Sequence, residues 1–219
     1  MTPNSTQIFY ELNANNYFLS THAVDLERLW QKMNAVLQPR AYILDLGCGS
    51  GRDLRYFGGQ GYRAVGLDHC HNLLKLAQNF SRQPLISADF RTLPFRQGVF
   101  DAVWAVGSLL HLAPQAIAPA LLEIRRVLKP EAFLFASIKK GCGETIDAKG
   151  RYFKFYQRAE WQDLLTRNGY AIVEIEESIE VRQTGEITWL ECLTKAVPLP
   201  PTTYSLSPTN RHGANHRSR

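Results

Sequence analysis

Glycine alternates with other residue types at Gly47, Gly49 and Gly51, and the acidic Asp45 stands two residues before the first of them. Glycine allows positive φ and leaves no Cβ between the backbone and a ligand. A helix that begins directly after such a turn also presents unpaired N–H groups, which suit a carboxylate or a phosphate. The segment 45–51 is therefore predicted to hold a ligand against the backbone.

Two classes of ligand compete for a glycine turn of this kind. The dinucleotide fingerprint Gly-x-Gly-x-x-Gly, counted from Gly47, would need its third glycine at the position of Arg52. The carboxylate of Asp45 would be unfavourable beside a pyrophosphate, whereas it could hold the ammonium of an amino-acid cofactor, directly or through water. The spacing therefore argues against NAD.

Two more acids stand at the ends of predicted strands. Asp68 lies 21 residues after Gly47, where a carboxylate can accept hydrogen bonds from both hydroxyls of a ribose, although it could instead cap the next helix. Asp89 could accept from an adenine amino group with Phe90 packing beside the ring, or it could be a turn residue. Since ligands bind beyond the carboxyl ends of parallel strands, three acids at three such ends indicate one ligand site.

The periodicity of apolar residues predicts alternating strands and helices around these acids. Strands are expected at 42–44, 64–67, 85–88, 100–106, 132–138, 170–176 and 187–196, with helices at 20–37, 52–60, 70–80, 114–128 and 157–168. Such units with right-handed crossovers give a doubly wound α/β sheet. No helix separates the last two strands, so we expect them to form a hairpin at the sheet edge.

The composition predicts one folded domain followed by a tail. The chain has 219 residues, 45% of them hydrophobic, and none of its apolar runs is long enough to span a bilayer. Residues 197–219 are rich in Pro, Ser, Thr and Asn, which predicts a disordered basic tail after a domain at 1–196. No secretory signal is visible, so a cytoplasmic location is expected. The four cysteines are scattered, and no metal site is predicted.

Five motifs between residues 40 and 140 resemble those of the class I, Rossmann-like methyltransferases: residues 43–51 (ILDLGCGSG), 66–68 (GLD), 88–90 (ADF), 100–101 (FD) and 125–130 (RRVLKP). The resemblance implies a mostly parallel seven-stranded sheet with a reversed C-terminal strand, and S-adenosylmethionine as the methyl donor. It implies that the turn holds the methionine end, Asp68 the ribose, and Asp89 with Phe90 the adenine. The predicted cofactor-binding residues are Asp45, Gly47, Cys48, Gly49, Gly51, Arg52, Asp68, Asp89, Phe90 and Val106. Glu131 departs from the family, which commonly has glycine there.

A closer resemblance reaches both ends of the domain. Residues 10–14 (YELNA) with 17–18 (YF), 51–53 (GRD), 108–111 (SLLH) and 150–153 (GRYF) are similar to a subgroup of small bacterial methyltransferases that is loosely grouped with tellurite-resistance-type enzymes. In this class the segment before the first strand often forms a lid. Residues 1–39 are therefore expected to be an N-terminal helical lid, with Tyr10 and Tyr17 facing the substrate.

His111 is the candidate catalytic residue. Methyl transfer is an in-line displacement that depends mainly on alignment, and a base is needed only if the nucleophile must lose a proton. His111 follows the fourth strand, and the loop there lies over the methyl group in this fold, so it could take a proton from an OH, SH or NH group. It could equally be a buried histidine bonded to the backbone. The absence of an Asn/Asp-Pro-Pro-Tyr/Phe sequence and of a cysteine near this loop weighs against methylation of an adenine or glutamine amino group and against the covalent cytosine mechanism.

Basic residues alternate with aromatic ones between Lys139 and Tyr156, after the fifth strand. Such a segment could bind an anionic aromatic substrate or stack on a splayed-out base. Alternatively, the aromatic residues pack a flap and the lysines are solvated. Arg151 and Tyr156 in this segment join Tyr10, Tyr17 and His111 as the predicted substrate-binding residues.

Three functions are compatible with these motifs. A methyltransferase acting on an O, N or S atom of a small molecule is favoured, because Arg211, Arg217 and Arg219 of the tail supply three of the five excess positive charges and leave the domain nearly neutral. A tRNA methyltransferase is the alternative, supported by the basic-aromatic segment and the arginine tail. The third possibility is a non-catalytic protein that binds S-adenosylmethionine. No membrane association is expected.

Overall fold

Seven strands form one sheet in the computed structural model, which describes residues 5–182 and 185–197. The strands are β1 Tyr42–Leu46, β2 Arg63–Asp68, β3 Leu85–Ser87, β4 Phe100–Val106, β5 Leu128–Lys139, β6 Glu144–Ile146, β7 Tyr152–Lys154, β8 Tyr170–Arg182 and β9 Gly185–Ala196, of which β6 and β7 pair as a separate hairpin. The helices are α1 Ser5–Thr21, α2 Glu27–Asn34, α3 Arg52–Gly59, α4 His71–Ser81, α5 Pro114–Val127 and α6 Arg158–Arg167, and a 3₁₀ turn spans Leu109–His111.

The order of strands across the sheet is β3-β2-β1-β4-β5-β9-β8. All pairs from β3 to β5 are parallel, and β9 runs antiparallel to both of its neighbours. The predicted fold class is therefore confirmed, including the reversed strand at the C-terminal end of the sequence. Strand order reverses between β1 and β4, and this switch point is where ligands bind in open α/β sheets.

Side chains of the central strands alternate between two apolar layers. On one face, Trp104 stacks on Phe135 with 4.6 Å between ring centroids and meets Phe57 edge to face at 5.2 Å. On the other face, Leu44 and Val103 pack in the larger core that also receives α5. Strands covered on both faces explain the nearly continuous apolar sequence of β1 and β4. No helix within the described ranges is long and apolar enough to cross a membrane.

The first predicted helix, 20–37, is wrong in its bounds. The chain forms α1, kinked at Asn13, and then α2 over Glu27–Asn34, with residues 22–26 outside either helix. The apolar spacing that predicted one helix belongs to α2, whose Leu29 and Met33 are buried. The apolar residues Leu12 and Leu19 of α1 are exposed, so α1 carries no simple amphipathic stripe that periodicity could detect.

The last two strands form the predicted hairpin but are longer than expected. β8 pairs with β9 as far as Arg182 and Gly185, whereas β5 pairs with β9 only as far as Trp189. The end of the hairpin is thus a two-stranded ribbon without a third strand, and its mixed polar and apolar sequence lacks the signal of a buried strand. Of the predicted tail, Val197 donates its N–H to the Gly169 carbonyl oxygen, and residues 198–219 lie outside the described part of the chain.

Glu131 occupies a left-handed backbone conformation at the start of β5, with φ of 63°. The strand register shifts here, because Phe100 pairs with Leu128 and Ala102 with Phe133, which leaves residues 129–132 as a bulge. Helix α5 ends at Val127 and β5 begins at Leu128, before this bulge, so the gap predicted between helix and strand at residues 129–131 is absent. A left-handed residue at the bulge gives a physical reason why glycine would be expected at this position.

We predict that Glu131→Gly is more stable than Glu131→Ala by about 1 kcal/mol, since alanine retains the left-handed strain that glycine relieves. Both variants lose the exposed ion pair that Glu131 makes with Lys195, so that loss cancels in the comparison. Urea unfolding of the two variants measures the difference. Equal midpoints would show that the bulge does not impose a left-handed conformation in solution.

Candidate functional site

The three glycines of the turn after β1 all have positive φ: 78° at Gly47, 54° at Gly49 and 88° at Gly51. A Cβ on Gly47 would stand 2.4 Å from the Cβ of Ser108, which no packing arrangement tolerates. A Cβ on Gly51 would stand 3.1 Å from the Cβ of Ala77 in α4. Gly47 thus allows the loop after β4 to approach the turn, and Gly51 allows α4 to pack against it.

The neighbouring strand β2 fixes the turn through hydrogen bonds. The N–H groups of Gly47 and Cys48 both donate to the Leu67 carbonyl oxygen, at 2.7 and 3.1 Å. The N–H of Gly49 donates to Oδ2 of Asp68 at 2.9 Å. The turn is therefore held by the last two residues of β2, and Asp68 positions the turn whose ligand it is predicted to share.

A cavity of about 790 Å³ opens beyond the carboxyl ends of β1, β2 and β4. This volume lies within the range of small-molecule and cofactor sites. Six of the predicted cofactor-binding residues line it: Gly47, Gly49, Asp68, Asp89, Phe90 and Val106. Three of the predicted substrate-binding residues also line it: Tyr10, Tyr17 and His111.

Asp68 is half-buried at the cavity wall and accepts two backbone hydrogen bonds. Its Oδ1 accepts from the N–H of Cys70 at 2.9 Å, and its Oδ2 accepts from the N–H of Gly49. The first bond is the local turn contact expected of an aspartate before a helix, and the second crosses from one strand end to another. Burial raises the pKa of this carboxyl above its usual value, so hydroxyl donors from a ligand would be favourable partners.

Asp45 lies behind the turn, where it is 2% exposed. Its Oδ2 has no hydrogen-bond partner among the described residues. Burial, followed by the negative charge of Asp53, raises the pKa of Asp45 well above its ordinary value. A buried carboxylate oxygen without a hydrogen-bond partner raises the free energy of the folded state. A cationic ligand group at the turn would offset this free-energy cost. Asp45 does not itself line the cavity, so a ligand ammonium would have to reach it through a bridging water.

Arg52 and Asp53, at the start of α3, form a buried polar cluster beside Asp45. Arg52 donates to both carboxylate oxygens of Asp53, at 2.8 and 2.9 Å. The same carboxylate accepts from the indole N–H of Trp30 at 3.0 Å and of Trp104 at 2.9 Å. Arg52 is thus held by Asp53 and does not line the cavity. Asp53 was not among the predicted site residues, although the sequence Gly-Arg-Asp at 51–53 was part of the resemblance.

Asp89 lines the cavity, but its carboxylate is already paired. Arg91 donates to it from the backbone N–H at 2.8 Å, from Nε at 2.9 Å and from a terminal nitrogen at 2.5 Å. Hydrogen bonding to Arg91 lowers the pKa of Asp89. An adenine amino group would share this carboxylate with Arg91. Phe90 is nearer to the turn, since its Cζ would stand 3.2 Å from a Cβ on Gly47.

Four further predicted residues do not line the cavity. The Cys48 side chain is buried beneath Gly66, whose Cβ would stand 2.7 Å from the sulfur, and Gly51 faces α4. Tyr156 is 3% exposed and packs on Trp161 at 5.2 Å, so the structure places it in the core and not at the substrate side. Arg151 is paired with Asp147 at 2.7 Å.

His111 joins the lid to the loop after β4. Its Nδ1 lies 2.7 Å from the Tyr152 carbonyl oxygen, and its Nε2 lies 3.0 Å from the Tyr10 hydroxyl. A carbonyl oxygen only accepts, so Nδ1 carries the proton and Nε2 is the acceptor. Burial lowers the pKa of His111 to about 4, which keeps the ring neutral at pH 7. The structure thus has the backbone bond of the structural alternative for His111, and its Nε2 lone pair is taken up by the Tyr10 hydroxyl.

Helix α1 covers the cavity and is anchored at both of its sides. The Glu11 carboxylate accepts from the N–H groups of His71 and Asn72 at 2.7 and 3.0 Å, and so satisfies the first turn of α4. Thr6 Oγ1 accepts from the N–H of Tyr152 at 2.8 Å. Helix α1 therefore connects the start of α4 to the β6–β7 hairpin. Sequence reasoning missed Glu11, because its partners are distant in sequence.

Ser108 is a cavity residue that sequence reasoning did not select. It is 6% exposed, it lines the cavity, and its Oγ has no hydrogen-bond partner among the described residues. It directly follows Gly107, whose φ of 64° turns the chain at the end of β4. A serine hydroxyl with an unused hydrogen-bonding capacity beside the turn adds a polar contact for a ligand.

Comparison with known proteins agrees with this geometry. Residues 44–136 match the methyltransferase domain family. An uncharacterised protein of Methanocaldococcus jannaschii is 30% identical over 60% of this chain and 62% of its own length. A probable tRNA methyltransferase 9B of Homo sapiens is 30% identical over 65% of this chain and 31% of its own length. The chain thus spans less than two thirds of the length of these relatives.

The fold also resembles a solved structure over most of the chain. The crystal structure of the 1,6-didemethyltoxoflavin-N1-methyltransferase of Burkholderia thailandensis, with bound 1,6-didemethyltoxoflavin and S-adenosylhomocysteine, superposes with a TM-score of 0.74. The match covers 89% of this chain and 88% of that protein at 21% sequence identity. At this identity the likeness concerns the fold.

We predict that Gly47→Ala destabilises the protein more than Gly49→Ala. Both variants place alanine at positive φ, which costs about 1 kcal/mol. Only the Gly47 variant adds a clash, because a Cβ on Gly49 would stand 3.6 Å from its nearest neighbour, and the resulting overpacking should add about 2 kcal/mol.

Urea unfolding of the two variants and of the double variant Gly47→Ala with Ser108→Gly tests this. Removing the Ser108 Cβ should recover part of the loss. Equal losses for the two single variants would show that the loop after β4 does not lie against the turn.

Proposed function

We propose that this chain is a class I, Rossmann-like methyltransferase. In this proposal it transfers the methyl group of S-adenosylmethionine to an oxygen, nitrogen or sulfur atom of a small molecule. The observation that carries the proposal is one cavity bounded on one side by the glycine turn and Asp68, and on the other by Tyr10 and His111. The first side suits the cofactor S-adenosylmethionine. The second side suits a nucleophile that must be aligned and desolvated.

We assign the cofactor to the first side by the chemistry of its parts. The N–H groups at the start of α3 face the carboxylate of the methionine end, and the unpaired Asp45 oxygen compensates its ammonium through a bridging water. The half-buried carboxylate of Asp68 accepts from the ribose hydroxyls, and the Phe90 ring packs beside the adenine. Asp89 is a less favourable adenine contact than Phe90, because its carboxylate is already hydrogen-bonded to Arg91.

The bound cofactor supplies a methyl group on a positively charged sulfur. The protein's own contribution is to align the acceptor and exclude water, because such a displacement depends chiefly on near-attack geometry. Helix α1 closes over the cavity with Tyr10 and Tyr17 on its wall. The Nε2 atom of His111 is a proton acceptor, and an acceptor hydroxyl or amine could replace the Tyr10 hydroxyl as its hydrogen-bond donor.

A tRNA methyltransferase is the second candidate, and the name of the human relative favours it. That relative is more than three times longer than the matched part, so its substrate does not transfer to this chain by similarity. The anchored lid favours a small molecule, because Glu11 and Thr6 fix α1 over the cavity that an RNA base would have to enter.

We expect the purified protein to transfer labelled methyl from S-adenosylmethionine to the small-molecule fraction of a cell extract. Asp68→Asn should lower the transfer at least about tenfold, since it weakens both the ribose contact and the bond that fixes the turn. It should also abolish most of the thermal stabilisation by S-adenosylhomocysteine, which for wild-type protein amounts to about 3 kcal/mol at one hundred times the dissociation constant.

The matched control is Asp163→Asn, in which an exposed aspartate paired with Arg167 is changed in the same way. It should behave as wild type. Label in the RNA fraction would support the tRNA candidate instead. Stabilisation by S-adenosylhomocysteine without any labelled product would identify a non-catalytic binding protein, and equal stabilisation by NAD would contradict the cofactor assignment.

The role of His111 predicts a pH profile. A base with a pKa of about 4 stays neutral and able to accept a proton throughout the range above pH 5. Because protonation removes the acceptor, kcat/KM should be flat between pH 7 and 5 and should fall only as the pH approaches 4. His111→Asn, which can keep the bond to the Tyr152 carbonyl, should lower kcat/KM about a hundredfold.

Initial rates across this pH range, with binding of S-adenosylhomocysteine measured in parallel, provide the test. Unchanged binding separates a loss of proton transfer from a loss of the fold. An acid limb near the ordinary histidine pKa of about 6.5, or a full rate in His111→Asn, would exclude His111 as the proton acceptor.

A further inference from the structure

Lys139 ends β5 at the same edge of the sheet as the cavity. Its register partner across the antiparallel pair is Trp189 of β9, so the two side chains share one face. The Lys139 Nζ lies 3.7 Å from the centre of the Phe153 ring and 6.0 Å from that of Trp189. The ammonium therefore lies over the Phe153 ring with Trp189 farther away, and among the described residues it makes no ion pair and no hydrogen bond.

The acids near Lys139 are already bound by arginines. Asp147 accepts from Arg151 at 2.7 Å, and Glu180 accepts from Arg182 at 2.6 Å. Glu180 also accepts from the indole N–H of Trp189 at 2.9 Å. This cluster thus contains three cations and two carboxylates, and the unneutralised charge is that of Lys139.

Lys139 is half-buried, and a partly buried charge without a partner is unfavourable. Burial, with the positive charges of Arg182 and Arg151, lowers the pKa of Lys139 to about 8. The two rings compensate part of this cost through cation–π attraction, but they supply no hydrogen-bond acceptor. A bound anion would supply both a charge and an acceptor.

The cluster adjoins the acceptor side of the cavity. The Phe153 ring packs on the His111 ring with 4.8 Å between centroids, and His111 lines the cavity. Trp189 reaches Gly107 of the cavity wall, where its Cη2 lies 3.8 Å from the position of a Cβ. A group bound at Lys139 would therefore stand one aromatic ring away from the proposed proton acceptor.

We propose that the methyl acceptor is a small molecule with an anionic group, a carboxylate or a phosphate, and that the Lys139 ammonium, which lies over Phe153 and near Trp189, binds this group. The inference rests on the proposed methyl transfer and narrows its substrate class. Lys139 acts as a specificity residue: it contributes to binding of the acceptor and not to binding of the cofactor. The positive charge of Lys139, and not the length of its side chain alone, is what binds the anionic group.

The test uses the labelled product from the small-molecule fraction and three variants. The product should be retained by an anion-exchange resin at neutral pH. Lys139→Met should lower kcat/KM for that fraction at least about tenfold, mainly through KM, and Lys139→Arg should retain most of it. The control is Lys140→Met: Lys140 is the next residue and is paired with Glu177 at 2.7 Å, so its loss should leave the rate unchanged. Stabilisation by S-adenosylhomocysteine should be the same in all four proteins.

The outcomes separate the two proposals. A labelled small molecule that the resin does not retain, or a Lys139→Met variant as active as Lys140→Met, overturns the anionic acceptor while methyl transfer stands. Label confined to material that is sensitive to ribonuclease overturns the small-molecule acceptor. Stabilisation without any labelled product overturns methyl transfer, and the anionic acceptor with it.

Discussion

The hydrogen bond from the Gly49 N–H to the Asp68 carboxylate links the two strand ends on which the site is built. Together with the bonds from Gly47 and Cys48 to Leu67, it fixes a backbone path with positive φ at three glycines. The turn then admits Ser108 from one side and α4 from the other. A shift of this turn would therefore displace the start of α3, the loop after β4 and the cavity wall at the same time.

The second half of the cavity is built from parts that lie outside the central strands. Helix α1 comes from the start of the chain, the 3₁₀ turn carries His111, and the β6–β7 hairpin supplies the carbonyl that orients its ring. Glu11 joins this assembly to α4, which also packs against the glycine turn. Helix α4 thus connects α1, which lies over the acceptor side of the cavity, to the glycine turn on the cofactor side.

The strand ends and their acidic residues could be predicted because the pattern that marks them, a short apolar run followed by an aspartate, is local in sequence. Asp45, Asp68 and Asp89 follow short apolar runs, and parallel strands bring the ends of these runs to one edge of the sheet.

The contacts that involve sequence-distant partners could not be predicted. The pairing of Asp53 with two indoles and the capping of α4 by Glu11 depend on how the elements pack, which neither residue type nor spacing indicates. Lys139 was visible as one of several basic residues, but only the structure distinguishes it from Lys140, because among the described residues no carboxylate pairs with it.

The central claim is that one cavity holds the cofactor against the glycine turn and the acceptor against Tyr10 and His111. A crystal structure of the protein with S-adenosylhomocysteine tests it most directly. The account predicts ribose hydroxyls within hydrogen-bonding distance of Asp68, the amino-acid end at residues 47–51, and the sulfur directed toward His111. Density for the ligand at any other place, or a ribose that makes no contact with Asp68, would contradict it.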